Sequence, residues 1–461
     1  MPKEYHKLRQ RITEEPIMKT LLWLGIPPLI TQLVQVSYNI VDTIWLSRLS
    51  DIDIAVPRQS WPPLMVVFML GISIQVANLS LISQLIGAKR YKEAEESIGR
   101  FFYIMLIMGI ALGFIFISLR NIIFGVLLET PQEILSKVLD YSFIVGLGVP
   151  FYFMSIAFTT VLQAIGDTRT PMIIQTVSAM TNIILDPFLI FGIGFFPAMG
   201  ITGAAVATLL SRILSALLGS LILIKGHKGI KATFPSKLVT RKWVTYVIKV
   251  GGPVGVLRIA NALSFSALLK IVNTFGIVAA TAYSLGFIII NLSDAILWGF
   301  TRALSIMIGQ NLGAGKTDRA KEIVEKSSIT IILGTIVLTV VVYFATEPLV
   351  YWFVQTPAIR LEAVRFIRIF LLSIPFFAAF FISVAIGNGS GHTIVPSTIG
   401  VIRLWGIRIG LSYITAIYLG LGLVWVWISM TLSNVFAGIA GLLWVLSWKW
   451  VKPRIREYFS D

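Results

Sequence analysis

Residues 84–88 read Gln84-Leu85-Ile86-Gly87-Ala88, and about 226 residues later the chain reads Gln310-Asn311-Leu312-Gly313-Ala314. The match extends outward in both directions. Downstream, Ala94 and Glu96 return as Ala320 and Glu322; upstream, Gly25 and Pro27 return as Gly251 and Pro253. Further on, Pro150-Phe151 answers to Pro375-Phe376, and Gly166, Thr168 and Pro171 answer to Gly391, Thr393 and Pro396. Nearly every stretch between these landmarks is apolar enough to lie in lipid. A membrane protein made of two similar halves reads as a carrier, because two lobes moving about a central cleft expose one site to either side in turn.

Composition agrees with a bilayer as the solvent. The 461 residues are 56% hydrophobic and only 13% charged, with a mean hydropathy of +0.85, whereas about a quarter of a soluble domain is charged. There is no cysteine, so no disulfide framework exists and the redox compartment is not legible. The basic start, Met1 to Lys19, lacks a small-residue cleavage site before a short apolar core, so no removable signal peptide is read. The expected fold is an all-α integral membrane protein of twelve transmembrane helices. Cutting the apolar runs at clusters of Gly, Pro and charge places them at roughly 17–48, 54–87, 92–119, 132–165, 169–194, 200–225, 242–275, 278–311, 318–346, 357–389, 393–418 and 420–448. The expected organisation is an N-lobe, 1–225, a linker, 226–241, and a C-lobe, 242–461, the lobes being two six-helix bundles related by an axis along the membrane normal.

The net charge of +16 does not point to nucleic acid, because the charges are segregated by side. Lys and Arg gather at the N-terminus (Lys3, Lys7, Arg9, Arg11), after span 2 (Lys89, Arg90, Lys92), in the linker (Lys228, Lys231, Lys237), after span 8 (Lys316, Arg319) and at the C-terminus (Lys452, Arg454), while the loops near 195–199, 274–278 and 418–420 have none. The positive-inside rule then puts both termini in the cytoplasm of a multi-pass cell-membrane protein. The linker reads as a solvated connector near anionic headgroups.

A charge at the bilayer centre costs roughly 2.5–3.5 kcal/mol on insertion scales, so an acid there asks for a role. Span 1 carries Thr31, Gln35, Tyr38 and Asp42; span 5 carries Gln175, Ser178, Asn182 and Asp186. Steps of three and four put each set on one helix face. Two carboxylates sharing a dry site do not both stay ionised without a cation, so such a pair takes up a proton or holds Na⁺ with carboxylate, amide and hydroxyl oxygens. The alternative is that each acid sits near an interface and bonds to its neighbours. The second half does not repeat the pattern: Leu268 stands where Asp42 would recur, and span 11 carries Arg403 and Arg408 with no acid. Asp294 in span 8, with Arg302 two turns later and Arg258 in span 7, reads first as an Asp–Arg pair stabilising the C-lobe, with a second ion site as the alternative. Asp140 reads as interfacial and Tyr141 as facing the N-lobe cavity. Pro27, fifteen residues before Asp42, either bends span 1 in step with its protonation or sets a static kink.

Gly315-Lys316-Thr317 resembles the end of a phosphate loop, but Gln310 stands where the first glycine belongs and a membrane helix precedes it, so it is read as a turn. His6, His227 and His392 are scattered, which gives no zinc site. With no membrane histidine and no nucleophile–base constellation, an enzyme is not expected, nor a cofactor beyond a transported H⁺ or Na⁺.

Gly25-x-Pro27, Tyr38-Asn39-Ile40-Val41-Asp42-Thr43, Gln84-x-x-Gly87-Ala88, the run Gln163 to Pro171, and Asn182-x-x-x-Asp186 followed by Gly203 to Thr208 together resemble the multidrug and toxic compound extrusion family. The resemblance covers essentially the whole chain and is nearest its prokaryotic branch, similar to the DNA-damage-inducible transporters. It implies export of cationic, amphipathic drugs or metabolites in exchange for H⁺ or Na⁺ by alternating access, by a monomer with lipid as its surroundings. It also implies cation ligands or proton carriers at Asp42, Asn182 and Asp186, a cavity shaped by Gln35, Tyr38, Tyr141 and Ser178, and a span 6 threonine, Thr208 or Thr202, completing the site. Relatives with a C-lobe cation site carry acids in spans 7 and 10; here span 7 has Arg258 and span 10 shows none in its interior. The competing reading is a flippase of the same fold for a lipid-linked pyrophosphate precursor, held by Arg258, Arg302, Arg403 and Arg408.

Overall fold

The computed structural model describes residues 3–454 except 51, 52, 54, 195 and 230; for residues 3–5 and 288–296 it describes the helical backbone only. Among the described residues the regular structure is helical, and the longest stretch outside helices is the linker at 226–240. Among the described residues, ten helices are long and apolar enough to cross a membrane: Ile17–Ser47, Ala55–Gly87, Tyr91–Leu127, Gln132–Ala164, Arg169–Phe191, Ile201–Lys225, Arg241–Asn273, Thr317–Phe353, Ile394–Tyr418 and Val424–Leu446. An eleventh span is the pair Pro357–Leu371 and Ile374–Ser390, bent by 50° where Pro375 withholds a backbone donor. The helix Ile277–Gly313 completes the twelve. In chain order these are spans 1 to 12, and large apolar side chains such as Leu333, Val337 and Phe344 on span 9 face outward, as lipid-facing positions do. Ahead of span 1 lies a helix that the sequence reading did not foresee, Lys3–Glu14, polar on average with its buried face at Ile12 and Thr13.

The repeated pentapeptide is a repeated turn. In the first copy Ala88 N–H bonds to the Gln84 carbonyl and Arg90 N–H to that of Leu85; in the second Ala314 N–H bonds to Gln310 and Lys316 N–H to Asn311. Each copy needs one left-handed residue, supplied by Lys89 at φ 62° and by Gly315 at φ 72°. The apparent phosphate loop is this turn.

By contacts the chain divides into two compact units: Met1–Arg11 with Ile26–Val244, and Ile12–Gly25 with Thr245–Asp461. These bounds differ from the three sequence segments at two places, for physical reasons. Residues 12–25 pack with the second unit, where Asn311 Nδ2 donates to the Ile12 carbonyl at 3.3 Å, Lys316 Nζ to the Thr13 carbonyl at 3.1 Å, and Arg319 to the Glu15 carbonyl. The linker packs with the first. Asp167, 2% exposed, accepts from Lys228 Nζ at 2.8 Å and Thr170 Oγ1 at 2.7 Å and lies 3.0 Å from His227 Nε2. Arg100 Nε donates to the Lys237 carbonyl, and Trp243 Nε1 to Asn78. Gly99 admits the Thr233 carbonyl so closely that a Cβ there would fall 1.8 Å from it. Burial alone would raise the Asp167 carboxyl, but the hydrogen bonds from Lys228 and Thr170 outweigh it and hold the group below the usual carboxylate range. The linker is therefore strapped to the first unit's helix ends.

The second unit carries a parallel arrangement. After span 12 the chain turns back, and Arg454 N–H reaches the Ser390 carbonyl in the turn that repeats Gly166-Asp167-Thr168. Lys321, at the start of span 9, sits 5.9 Å over the Trp448 ring, as Arg100 near the start of span 3 meets the linker.

Candidate functional site

Span 5 supplies the centre of the site. Asn182 and Asp186 lie one turn apart, 1% and 0% exposed. In the amide orientation that satisfies both partners, Asn182 Nδ2 donates to Asp186 Oδ2 at 3.0 Å and its Oδ1 accepts from the Thr208 N–H at 3.0 Å. The second Asp186 oxygen, Oδ1, is buried with no hydrogen-bond partner. Pro187 follows directly, so the Ile183 carbonyl one turn back receives no donor from it and adds another oxygen beside the pair.

Span 1 brings the second carboxylate. Asp42 is half-buried, and Asp42 and Asp186 lie within electrostatic reach of one another. The Tyr38 hydroxyl stands 3.4 Å from Thr208 Oγ1, and both Tyr38 and Tyr141 lie within reach of Asp42 and Asp186. Two stripes read separately from the sequence thus meet in one place, with Thr208 tying them together. No hydrogen bond joins Thr202 to this group among the described residues, whereas Thr208 contacts both Tyr38 and Asn182. Pro27 lies inside the helix of span 1, and its carbonyl accepts from Thr31 Oγ1 at 3.0 Å.

Other sequence-derived residues are placed differently. Ser178 does not offer its hydroxyl to a cavity: it donates to the Ser211 carbonyl at 2.7 Å and so ties span 5 to span 6. Gln35 is exposed, with only a 3.4 Å contact to Asn39. The side chain of Asp294 lies outside the described residues. The position that repeats Asp42, Leu268, is 1% exposed inside an apolar cluster with Tyr283, Phe366 and Trp427, in which Tyr283 and Trp427 lie nearly parallel, 6.1 Å between centroids. That packing fills the place corresponding to Asp42 with apolar side chains. Span 10 does hold one acid, which the sequence reading passed over: Glu362 is 9% exposed, accepts from Trp427 Nε1 at 2.7 Å and pairs with Arg365 at 3.0 Å. Its partners make it an anchor of the cluster.

Arg212 was also passed over. It lies one turn beyond Thr208 on span 6, with its guanidinium 5.7 Å from the Phe68 ring and 5.6 Å from that of Tyr152, and within electrostatic reach of Tyr38 and Tyr141. It is the only charge between Ile201 and Leu223, and that isolation was the available signal. Among the described residues no group of three or more His, Cys, Asp or Glu side chains is arranged to hold a metal ion. The Asp42, Asn182 and Asp186 oxygens are of the type that hold a proton or a hard monovalent cation.

Comparison with known proteins agrees with this architecture. The MatE family profile matches residues 27–188 and again 253–414, one match per repeat. A probable multidrug resistance protein NorM of Thermotoga maritima is 27% identical over 95% of this chain and 94% of its own length. An FAD transporter of Shewanella oneidensis is 26% identical over 80% of each chain. Among solved structures, a MOP-superfamily transporter of Pyrococcus furiosus superposes with a TM-score of 0.89 at 21% identity, covering 97% of this chain and 99% of that one. A chain with twelve apolar spans, matched in both repeats and aligned along nearly its whole length with such proteins, is a multi-pass membrane protein and belongs to the MatE family.

Proposed function

We propose that this protein is a secondary exporter of positively charged amphipathic compounds, driven by inward movement of H⁺ or Na⁺ through the first unit, by alternating access. The observation that carries the reading is the buried group Asp186–Asn182–Thr208–Tyr38 with Asp42 in electrostatic reach. Two carboxylates in a largely dry setting exchange one cation for another, because leaving both bare is costly. In this reading a cation entering from outside neutralises the pair, span 1 changes near Pro27, and the cargo's positive group loses its partner and departs outward. Release of the cation to the cytoplasm resets the site. Both termini are cytoplasmic in this scheme, which the Lys and Arg distribution supports. The relatives' names support cargo export in general: one is a probable multidrug resistance protein and another an FAD transporter.

The lipid-linked flippase reading is less well supported. It needs arginines presented to a pyrophosphate, but Arg403 Nη1 and Arg408 Nη2 both donate to Asn434 Oδ1 at 2.9 Å, and Arg408 Nε donates to Ser433. These two are engaged in packing span 11 on span 12.

The test is efflux of ethidium from proteoliposomes under Na⁺ or pH gradients imposed separately, with wild type, Asp42→Asn and Asp186→Asn. Gradient-driven efflux that disappears in both variants, each eluting as a monodisperse protein, is the expected result, and the effective gradient names the ion. Full coupled efflux by Asp42→Asn would overturn the mechanism.

A further inference from the structure

Arg212 is a full positive charge inside a membrane span, on the same unit as two carboxylates, yet no ion pair joins it to either. Its position is built. Phe68 from span 2 and Tyr152 from span 4 lie 4.1 Å apart at 37°, and the guanidinium carbon sits over both rings. Gly148, at the break within span 4, makes room: a Cβ there would lie 3.3 Å from Arg212 Nη1 and 3.5 Å from its Cδ. Nη1 is shut away from solvent without a hydrogen-bond partner. No hydrogen bond or ion pair engages Nε or Nη2 among the described residues, and neither atom is sealed in.

We propose that Arg212 is an oxyanion-recognition point in the cargo cavity of the first unit, and that the cargo class is an aromatic zwitterion. Its carboxylate or comparable oxyanion meets Nε and Nη2 of Arg212, and its cationic part meets Asp42 and Asp186. Three physical arguments converge. A guanidinium whose carbon sits 5.7 Å and 5.6 Å from the centres of two rings, with Nη1 buried, leaves Nε and Nη2 as the pair that meets another group, and that fork matches an oxyanion with two parallel hydrogen bonds. The rings that hold it also offer an apolar face on which a planar ligand stacks. Finally, a cavity that served cations alone gains nothing from a fixed positive charge one helical turn from Thr208, since it repels them; an ionisable side chain kept in a span, at the cost of its dehydration, is one that meets a partner during the cycle. This inference rests on the export reading above and narrows its cargo.

The experiment uses two dyes that differ in one group, rhodamine 6G, a cationic ester, and rhodamine 19, the same xanthene with a free carboxylate. Their dissociation constants are measured by fluorescence polarisation with purified full-length protein in lipid nanodiscs. Wild type is expected to bind rhodamine 19 about tenfold more tightly than rhodamine 6G, the ratio that a charge-assisted bidentate contact supplies. Arg212→Gln is expected to bring the ratio to about one by weakening rhodamine 19 alone, with Arg212→Lys in between. Should the glutamine variant fail to fold, Gly148→Ala, which keeps the charge but crowds the guanidinium, is expected to lower the ratio. A ratio unchanged by Arg212→Gln, or by Gly148→Ala where the glutamine variant does not fold, overturns the inference. So does a wild type that favours the ester, and in that case the export reading stands. A wild type that binds neither dye overturns the export reading together with this one.

Discussion

Replacing Asp167 by asparagine probes the strap that holds the linker to the first unit. The carboxylate takes hydrogen bonds from Lys228 Nζ at 2.8 Å, Thr170 Oγ1 at 2.7 Å and the Thr170 N–H at 3.1 Å, with His227 Nε2 at 3.0 Å. An amide keeps one acceptor oxygen, turns an N–H₂ toward donors and removes the charge that faces Lys228. Hydrogen bonds to an ionised group contribute about 1.5–3 kcal/mol each. Lys228 and His227 are 28% and 30% exposed, so solvent screens part of the effect, and the net loss is placed at about 2–3 kcal/mol. For a body the size of the first unit this corresponds to a fall in apparent Tm of roughly 4–10 °C. The assay is thermal unfolding of purified protein, read by near-ultraviolet circular dichroism at a series of pH values. Because the Asp167 carboxyl titrates below its usual value in the folded protein, its contribution is complete above the unfolded carboxylate value, about 4, and is lost as pH falls through the lower folded value. The gap between wild type and variant therefore does not shrink from about pH 8 to about pH 5, and it closes only in stronger acid. A variant that melts within about 1 °C of wild type at neutral pH, or a gap already gone at about pH 6, would refute the reasoning.

Three further outcomes are expected. Gly99→Ala drives a Cβ into the Thr233 carbonyl; since that neighbour is backbone, the linker lifts, stability falls by about 1–3 kcal/mol, and trypsin cleaves at Lys231 and Lys237 faster than in wild type. Asn434→Leu removes the oxygen shared by Arg403 and Arg408 and the donor to Ser373; it costs about 3–5 kcal/mol, seen as loss of monodisperse protein on gel filtration, and Asn434→Asp restores it. Thr208→Val deletes the hydroxyl beside Tyr38 while leaving the backbone N–H that Asn182 accepts, so coupled efflux in proteoliposomes falls about two- to tenfold and Thr208→Ser recovers it.

The membrane spans were legible because lipid imposes a one-dimensional code: length and apolarity alone mark a span. The twelve apolar runs therefore coincide with helices to within a few residues at most ends, and the repeated pentapeptide marked the turns. The site was legible to the degree that it lies on single helix faces. Asp42 with Tyr38, and Asp186 with Asn182, each follow from steps of three and four, but their meeting at Thr208 depends on packing between helices that no local spacing encodes. Ser178 sits on the right face and yet serves the span 5–span 6 contact, since face alone does not say whether a hydroxyl points to a cavity or to a neighbouring carbonyl. Arg212 and Glu362 were missed for another reason. A charge near a span's middle or end looks alike whether it snorkels, pairs or binds, and only the rings beside Arg212 and the indole beside Glu362 distinguish the cases. The linker looked like a solvated connector because its docking partners, Arg100 and Asp167, lie in two segments far from it in sequence.

The strap after span 6 and the turn-back after span 12 have a historical meaning. Each follows the last helix of its repeat and folds onto that repeat's own turns, at Asp167 in one case and at Ser390 in the other. Linker and C-terminal segment thus occupy corresponding places in the two repeats, the arrangement that fusing two copies of a half-length chain end to end would leave. Fusion then freed each copy to diverge, one keeping its acids and the other filling the same place with Leu268, Tyr283 and Trp427.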